Sequence, residues 1–529
     1  SGSVKGKFLY DDYLLVKDNQ FIKSPAYLKD IFTSDTARGA RRSLGSYRPF
    51  QLLTYMSDHV MWGAREEGYH ITNIFLHISA AFALYWMLTV LFGDHALSFF
   101  TCLLWAVNPL HTEAVMYISG RADPLAALFI FSGMAFYVKS ARSGPKIFYI
   151  ASLVCYSSAL LSRESSLVFP LLIALYHFSF KEKIPVYRFA GIAGLSALYA
   201  AARFTLLGHI LETIHENTRL IERIPSFLAA AANYMKLVIM PFGLHMEYGK
   251  RLFSFTDPLV IGGGLLLAAM AFFLIAERKN KIIFFSIAWA LLTLLPHSNI
   301  FPVNAYMAEH WLYLPLAGIS LAVSYGALVL YRKDGFRVTA VIAMAFITAY
   351  YSLITFRQSE YWKDPVSFYT GTLKYPPGNS RIYNNLANTY EGEGRVEEAV
   401  ALWKKAIQIR PDYSEAYNNL AVTYAGMKRY KEAAEMFEKA IKLDPGIPEL
   451  YNNAGNVYLN LGRGEEARAS YEKAIALNPY YADAYFNMSR MCYNEGRYGQ
   501  AVRDCDMAVR YGYKVEPGYL EEIKKYRKK

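Results

Sequence analysis

The sequence predicts an all-α protein in two parts, a polytopic transmembrane helical bundle followed by a C-terminal α-solenoid. Two observations carry this. The chain is 54% hydrophobic and only 19% charged over 529 residues, too apolar for a single soluble domain. Its last third repeats every 34 residues, with Tyr383, Tyr417, Tyr451 and Tyr485 in register and Asn385, Asn419, Asn453 and Asn487 two residues behind them. A 34-residue period with helix–turn–helix patterning is the tetratricopeptide signature, a solenoid whose inner face holds extended partners.

In chain order, the sequence begins at Ser1 in polar residues, with no signal peptide visible, and the reading expects a membrane helix before it. Apolar runs follow near 71–92, 97–107, 124–138, 147–161, 165–180, 187–207, 225–241, 258–276, 282–296, 313–331 and 338–356. A helix needs ~20 apolar residues to cross unaided, so the shorter runs must be flanked by interfacial turns or packed inside the bundle.

The formal charge of +12 is a topology signal and does not point to nucleic acid. From Arg357 onward 26 Lys/Arg nearly balance 23 Asp/Glu, and four short loops of the membrane part hold twelve basic residues against three acids. Those loops lie around Lys139–Lys146, Lys181–Arg188, Arg278–Lys281 and Arg332–Arg337, and cytoplasmic loops carry such an excess. Placing them in the cytoplasm puts 1–70, 108–123, 162–165, 208–224, 297–312 and everything after 357 outside. The count closes only if 225–241 does not cross, so that segment is expected to be re-entrant or interfacial.

The domain boundaries read as 1–357 for the membrane domain, 358–379 for a half-repeat connector, 380–515 for four repeats and 516–529 for a capping helix. Tyr369 and Pro377 sit one period before Trp403 and Pro411, so 363–376 is expected as a lone second helix. Ala399, Ala433, Ala467 and Ala501 fill one close-packing slot, and Ala406, Ala440, Ala474 and Ala508 another. Cys492 and Cys505 occupy aromatic slots of the other repeats and read as core filler; a disulfide needs an oxidising compartment.

Polar strings crowd the outer segments: Tyr10-Asp11-Asp12, Ser46-Tyr47-Arg48-Pro49, Tyr69-His70-Ile71-Thr72-Asn73 with His77, Asn108-Pro109-Leu110-His111-Thr112-Glu113, Gly120-Arg121-Ala122-Asp123, Ser162-Arg163-Glu164, and Ala308-Glu309-His310-Trp311-Leu312-Tyr313. Ionisable groups so near hydrocarbon are costly and usually mark a site. Through these strings and the repeats, nearly the whole chain resembles the transmembrane and tetratricopeptide-repeat-containing O-mannosyltransferases, within the GT-C glycosyltransferases. Where that family reads Arg-Tyr, this chain has His310-Trp311.

The resemblance implies a membrane glycosyltransferase that moves a sugar, mannose in the family, from a polyprenyl or dolichyl phosphate to a Ser/Thr hydroxyl of a protein, inverting the anomeric carbon. It places the catalytic acid in the first external loop, which points to Asp11 with Asp12 assisting. A carboxylate there takes the hydroxyl proton as the nucleophile attacks. The leaving lipid phosphate needs cationic or hydrogen-bonding partners, for which Arg48, His111, Arg121 and Arg163 are candidates, with Glu113 and Asp123 orienting them and His70 and Glu309 as further contacts to the donor phosphate or sugar. No cofactor is expected, and a divalent metal is not favoured. The four ladder asparagines, Asn385, Asn419, Asn453 and Asn487, are expected to grip the main chain of a protein or peptide acceptor, and the adjacent Asn384, Asn418 and Asn452 to be structural.

Each candidate has a plainer reading. Asp11-Asp12 is otherwise a solvated cap, His70 and His77 hydrogen-bond inside the bundle, Arg121–Asp123 is a salt bridge closing a helix entry, and Glu309 is a helix cap. The rival function is a non-catalytic scaffold assembling an envelope complex through the repeats. A third is an enzyme of glycans or lipids whose repeats recruit a partner. No Gly-Lys-Ser/Thr phosphate loop appears, so nucleotide hydrolysis is not expected.

Overall fold

The computed structural model describes residues 6–40, 42–142, 144–207, 219–249, 251–300, 305–375 and 379–527. They form two compact units, Ser1–Pro377 and Gly378–Lys529.

In the first unit the N-terminal segment runs through short helical turns. Asp35 folds it back: its carboxylate accepts from the main-chain amides of Ala37, Leu44 and Ser46. The main helices follow as α1 (Pro49–Trp62), α2 (Glu66–Phe92), α3 (His95–Ala106), α4 (Ala122–Ala141), α5 (Lys146–Ser162), α6 (Phe169–Phe180), α7 (Val186–Leu207), α8 (Leu220–Ile239), α9 (Pro258–Ala276), α10 (Lys281–Leu294), α11 (Pro315–Tyr331), α12 (Arg337–Ser359) and α13 (Pro365–Thr372). Their ends follow local chemistry. Glu66 and Glu67 sit in the first turn of α2, where the helix dipole favours negative charge. Gly93 closes α2 in the left-handed region. Asp94, Asp257, Asn280 and Asp364 cap the starts of α3, α9, α10 and α13 with their side chains.

Each apolar run of the sequence becomes a helix. Among the described residues, five segments are long and apolar enough to cross a membrane: Glu66–Phe92, Ile118–Ala141, Val186–Leu207, Pro258–Ala276 and Arg337–Ser359. The chain is a multi-pass membrane protein on that ground. Shorter apolar helices fill the bundle between them. The segment expected to be re-entrant forms α8, which carries Glu222, Arg223 and Lys236 and is not one of the five.

The core is built where α2 packs on α3 and α4, α4 on α5, α11 on α3 and α10, and α8 on α9. Two buried tryptophans lock the loop before α11 into it. Trp105 donates to the Tyr313 carbonyl at 3.0 Å and Trp289 to the Leu314 carbonyl at 2.9 Å. The connector expected over 363–376 is the eight-residue α13.

The second unit is α14 (Ser380–Gly392), α15 (Val396–Ile409), α16 (Ser414–Gly426), α17 (Tyr430–Leu443), α18 (Pro448–Asn460), α19 (Gly464–Leu477), α20 (Ala482–Asn494), α21 (Tyr498–Arg510) and the closing α22 (Pro517–Lys524). All eight slot alanines are fully buried, because the paired helices approach too closely there for a larger side chain. Cys492 and Cys505 are buried free thiols. The turn inside each repeat needs one left-handed residue, supplied by Gly394, Gly462 and Gly496 but by Lys428 (φ +60°) in the second repeat.

Candidate functional site

The polar strings come from segments spread over 300 residues, and in the first unit they bond to one another. The string around Asn73 meets the string around Arg121. Arg121 is fully buried and spends its guanidinium on Asp58 (2.6 Å), Asn73 Oδ1 (2.6 Å), the Tyr69 carbonyl (2.9 Å) and Thr54 (3.3 Å), lying 4.5 Å above the Tyr55 ring. Asn73 in turn donates to the carbonyls of Val115, Tyr117 and Ile118, pinning the turn that carries Arg121. Asp58 also accepts from Thr72 at 2.7 Å. Arg121, a candidate for the donor phosphate, thus makes three hydrogen bonds and one ion pair inside the fold.

Asp11 and Asp12 part company. Asp12 is buried, accepting from the Ser119 amide (2.8 Å), the Ser119 hydroxyl (2.5 Å) and the Leu9 amide (2.9 Å). Burial pushes its carboxyl up to about 7, against the pull of those donors. It tethers the first loop to the Ser119 turn. Asp11 is partly exposed, and its amide donates to the Tyr117 hydroxyl at 2.8 Å.

The third group is a run of ion pairs. Arg48 grips Glu164 in a two-pronged contact (3.1 and 2.8 Å), Arg203 approaches the same carboxylate at 3.8 Å, and Arg163 pairs with Asp123. Glu113 accepts from both the amide (2.9 Å) and Nδ1 (2.6 Å) of His310. Arg48 keeps 20% of its side chain in solvent and Glu164 33%, so this pair is the accessible one; Arg163 and Asp123 are nearly closed off. The Glu164 contact holds the Arg48 guanidinium above its ordinary range despite burial. Trp311 stacks on His297 at 4.7 Å.

Glu309 is fully buried. Its Oε1 accepts from the His245 amide (2.7 Å) and the Tyr248 hydroxyl (2.6 Å), while its Oε2 is buried without a partner. Burial first, then the neighbouring Glu113 charge, pushes its carboxyl well above the usual range. His111 is enclosed by Trp105 (4.6 Å), Tyr313 (4.4 Å) and His77 (5.5 Å), with neither ring nitrogen bonded. Burial, then His77, pushes its imidazole well below the ordinary value, so it stays neutral. His77 bonds the Tyr313 hydroxyl (2.6 Å) and the Ala106 carbonyl (3.0 Å). His70 is buried against Gly6, both nitrogens unbonded.

A shallow apolar cleft runs between α8, α9, α10 and α11. Its lining includes Tyr234, Met270, Leu294, Leu312 and Ile319. Leu312 closes the short helix Glu309–Leu312, so the cleft reaches the turn that carries Glu309 and His310.

In the second unit the ladder asparagines are half-buried and cross-link the repeats. Asn419 donates to Asn384 and Asn388 (3.1 Å each), and Asn487 to Asn452 (2.9 Å). Asn385 and Asn453 accept weakly from Asn384 and Asn452 at 3.4 Å. The equivalent of the long bond between the second and third repeats is missing among the described residues, and Asn418 Oδ1 is buried without a partner. Each ladder amide keeps spare hydrogen-bonding capacity toward the groove.

Asp58, Arg203, His245, Tyr248 and His297 were not singled out from sequence. Each stands alone in its segment, and only the fold brings it to a motif residue.

Tetratricopeptide-repeat family models match residues 379–445, 448–481 and 470–503. Among curated proteins, this chain is 25% identical over 425 residues to Protein O-mannosyl-transferase F38B6.6 of Caenorhabditis elegans, covering 76% of this chain and 60% of that one. It is 24% identical over 452 residues to Protein O-mannosyl-transferase TMTC3 of Homo sapiens, covering 76% and 49%. It is 26% identical over 476 residues to Protein O-mannosyl-transferase TMTC4 of Mus musculus, covering 76% and 64%. The chain thus spans between about half and under two thirds of the length of these relatives. A solved structure of MamA is 23% identical, covering 30% of this chain and 92% of that one, with a TM-score of 0.27.

Proposed function

We infer that this chain, a relative of the tetratricopeptide-containing protein O-mannosyl-transferases, is a membrane glycosyltransferase that moves a sugar from a polyprenyl phosphate to a Ser/Thr hydroxyl of a protein. The observation that carries the reading is the mutual bonding of the polar strings at one end of an apolar cleft. Ionisable groups this close to hydrocarbon are costly and usually mark a site, which favours an enzyme over a scaffold. A lipid-linked donor matches both parts: its hydrocarbon tail suits the cleft between α8 and α11, and its phosphate suits the arginines.

Arg48 is the residue best placed to meet that phosphate, because its Glu164 partner is itself exposed and can be exchanged. Arg163 adds positive potential from behind Asp123. Asp11 takes the proton of the acceptor hydroxyl as that oxygen bonds the anomeric carbon. The bond from the anomeric carbon to the phosphate oxygen breaks on the opposite face, and the lipid phosphate leaves with the electron pair. Attack opposite the leaving group inverts the centre. Asp12, Arg121 and Asn73 hold the loop and turn that frame this site. The repeats hold the acceptor through Asn385, Asn419, Asn453 and Asn487, on the same non-cytosolic side as the site. That side is the periplasm or exterior in a bacterium and the reticulum lumen in a eukaryote.

The test is transfer from a polyprenyl-phosphate mannose to acceptor proteins, read by intact mass. Asp11→Asn is expected to abolish transfer while leaving expression and donor binding. Full activity in that variant removes Asp11 from the mechanism. Replacing the four ladder asparagines by alanine is expected to weaken protein acceptors more than short peptides; equal loss points to misfolding.

A further inference from the structure

The connector between the last membrane helix and the first repeat touches two separate parts of the site. On one side, the fully buried Trp362 stacks on Tyr117 at 5.8 Å, and the Tyr117 hydroxyl holds the Asp11 amide at 2.8 Å. The Lys7 amide donates to the Lys363 carbonyl at 3.1 Å, fastening the start of the same loop. On the other side, Tyr375 stacks on His245 at 4.3 Å, with ring planes 13° apart. The His245 amide donates to Glu309 at 2.7 Å. Two further bonds tie the 244–246 stretch to the connector: Gln358 donates to the Leu244 carbonyl (3.1 Å), and the Tyr361 hydroxyl accepts from the Met246 amide (3.2 Å).

We infer that Trp362 and Tyr375 are positioning residues: Trp362 sets the Asp11 loop through Tyr117, and Tyr375 sets the Glu309 carboxylate through His245. Neither touches a reacting atom. Each stacked pair adds an aromatic contact to the main-chain hydrogen bonds that hold these loops. Displacing a reacting group by about 1 Å can cost about a hundredfold in rate. The catalytic half of this inference rests on the glycosyltransferase reading; the structural half does not.

The experiment pairs Tyr375→Leu and Tyr375→Phe with Trp362→Leu in the full chain. Amide hydrogen exchange is read at Asp11 and His245. Transfer is read with a polyprenyl-phosphate mannose and a short serine peptide. Tyr375→Leu is expected to raise exchange at His245 by about tenfold or more with Asp11 unchanged, and Trp362→Leu to do the reverse. Equal loosening of both loops in either variant, or none, overturns the inference whether or not the chain transfers sugar. In transfer, Tyr375→Leu is expected to lower kcat about tenfold or more at an unchanged donor KM, and Tyr375→Phe, which keeps the ring, to restore it. Phe as damaging as Leu, or Leu with wild-type kcat, overturns it. A wild-type chain that transfers nothing refutes the glycosyltransferase reading alone, and the exchange data still decide this one.

Discussion

Replacing Arg121 by methionine keeps the length of the side chain and removes its charge and donors. Asp58, 1% exposed, is then left with Thr72 as its remaining donor. Breaking a buried pair from one side costs about 3–5 kcal/mol. Asn73 Oδ1 and the Tyr69 carbonyl also lose their donor, at about 1–3 kcal/mol each where no water replaces it. The total is on the order of 5 kcal/mol or more, comparable with the whole stability of a typical domain. The Arg121→Met chain should therefore lose its first unit at a much lower temperature, measured by size-exclusion of heated detergent extracts. Adding Asp58→Leu should recover most of the loss, since a buried pair replaced on both sides is close to neutral. The pH dependence has a definite sign. Burial already raises the Asp58 carboxyl, and Arg121 pulls it down. Without Arg121 it rises further, so the cost is present at neutral pH and fades as pH falls and Asp58 takes a proton. An Arg121→Met chain with the wild-type melting temperature and no transfer would refute this reasoning and return Arg121 to the donor phosphate.

Three further outcomes are expected. Asp12 titrates at about 7, well above the ordinary carboxyl, so its protonated form stabilises the fold at acid pH. That contribution is lost as pH rises from about 4 to 7, up to about 4 kcal/mol, and Asp12→Asn should flatten this part of a stability–pH profile; parallel profiles would count against it. Lys428→Gly should stabilise the second repeat by about 1 kcal/mol, because lysine at φ +60° sits where glycine carries no Cβ penalty; a lower unfolding midpoint would contradict this. Asn419→Ala should destabilise the solenoid by about 1–2 kcal/mol and Asn385→Ala by less, since Asn419 donates two inter-repeat bonds and Asn385 none that is described. Equal losses in denaturant would contradict this.

What the sequence revealed follows the range of the signals. Helix positions came from apolar runs and the repeats from a fixed period, both local patterns, and each run formed a helix. The slot alanines were legible because one spacing repeats four times. The division of labour within the site was not. Asp11 and Asp12 are neighbours with the same chemistry, and only the position of Ser119, 107 residues away, shows which one is buried. The bonds that bury Arg121 were not legible because its partner Asp58 lies in a stretch with no motif. Glu309 was singled out, but the His245 and Tyr248 that hold it sit after α8 in a loop with no recurring pattern.

The bond from Asn419 back to Asn384 has its counterpart from Asn487 to Asn452, and none from Asn453 to Asn418. In a linear array, cohesion is a sum over neighbouring joints, so unequal joints share load unequally. The asparagine rung is thus replaced at the joint between the second and third repeats, where Tyr458 donates to Glu438 at 3.3 Å and Tyr417, Ala440 and Leu450 pack together. At that joint the Asn453 N–H groups, which make no bond to a neighbouring repeat among the described residues, are left to an extended segment in the groove.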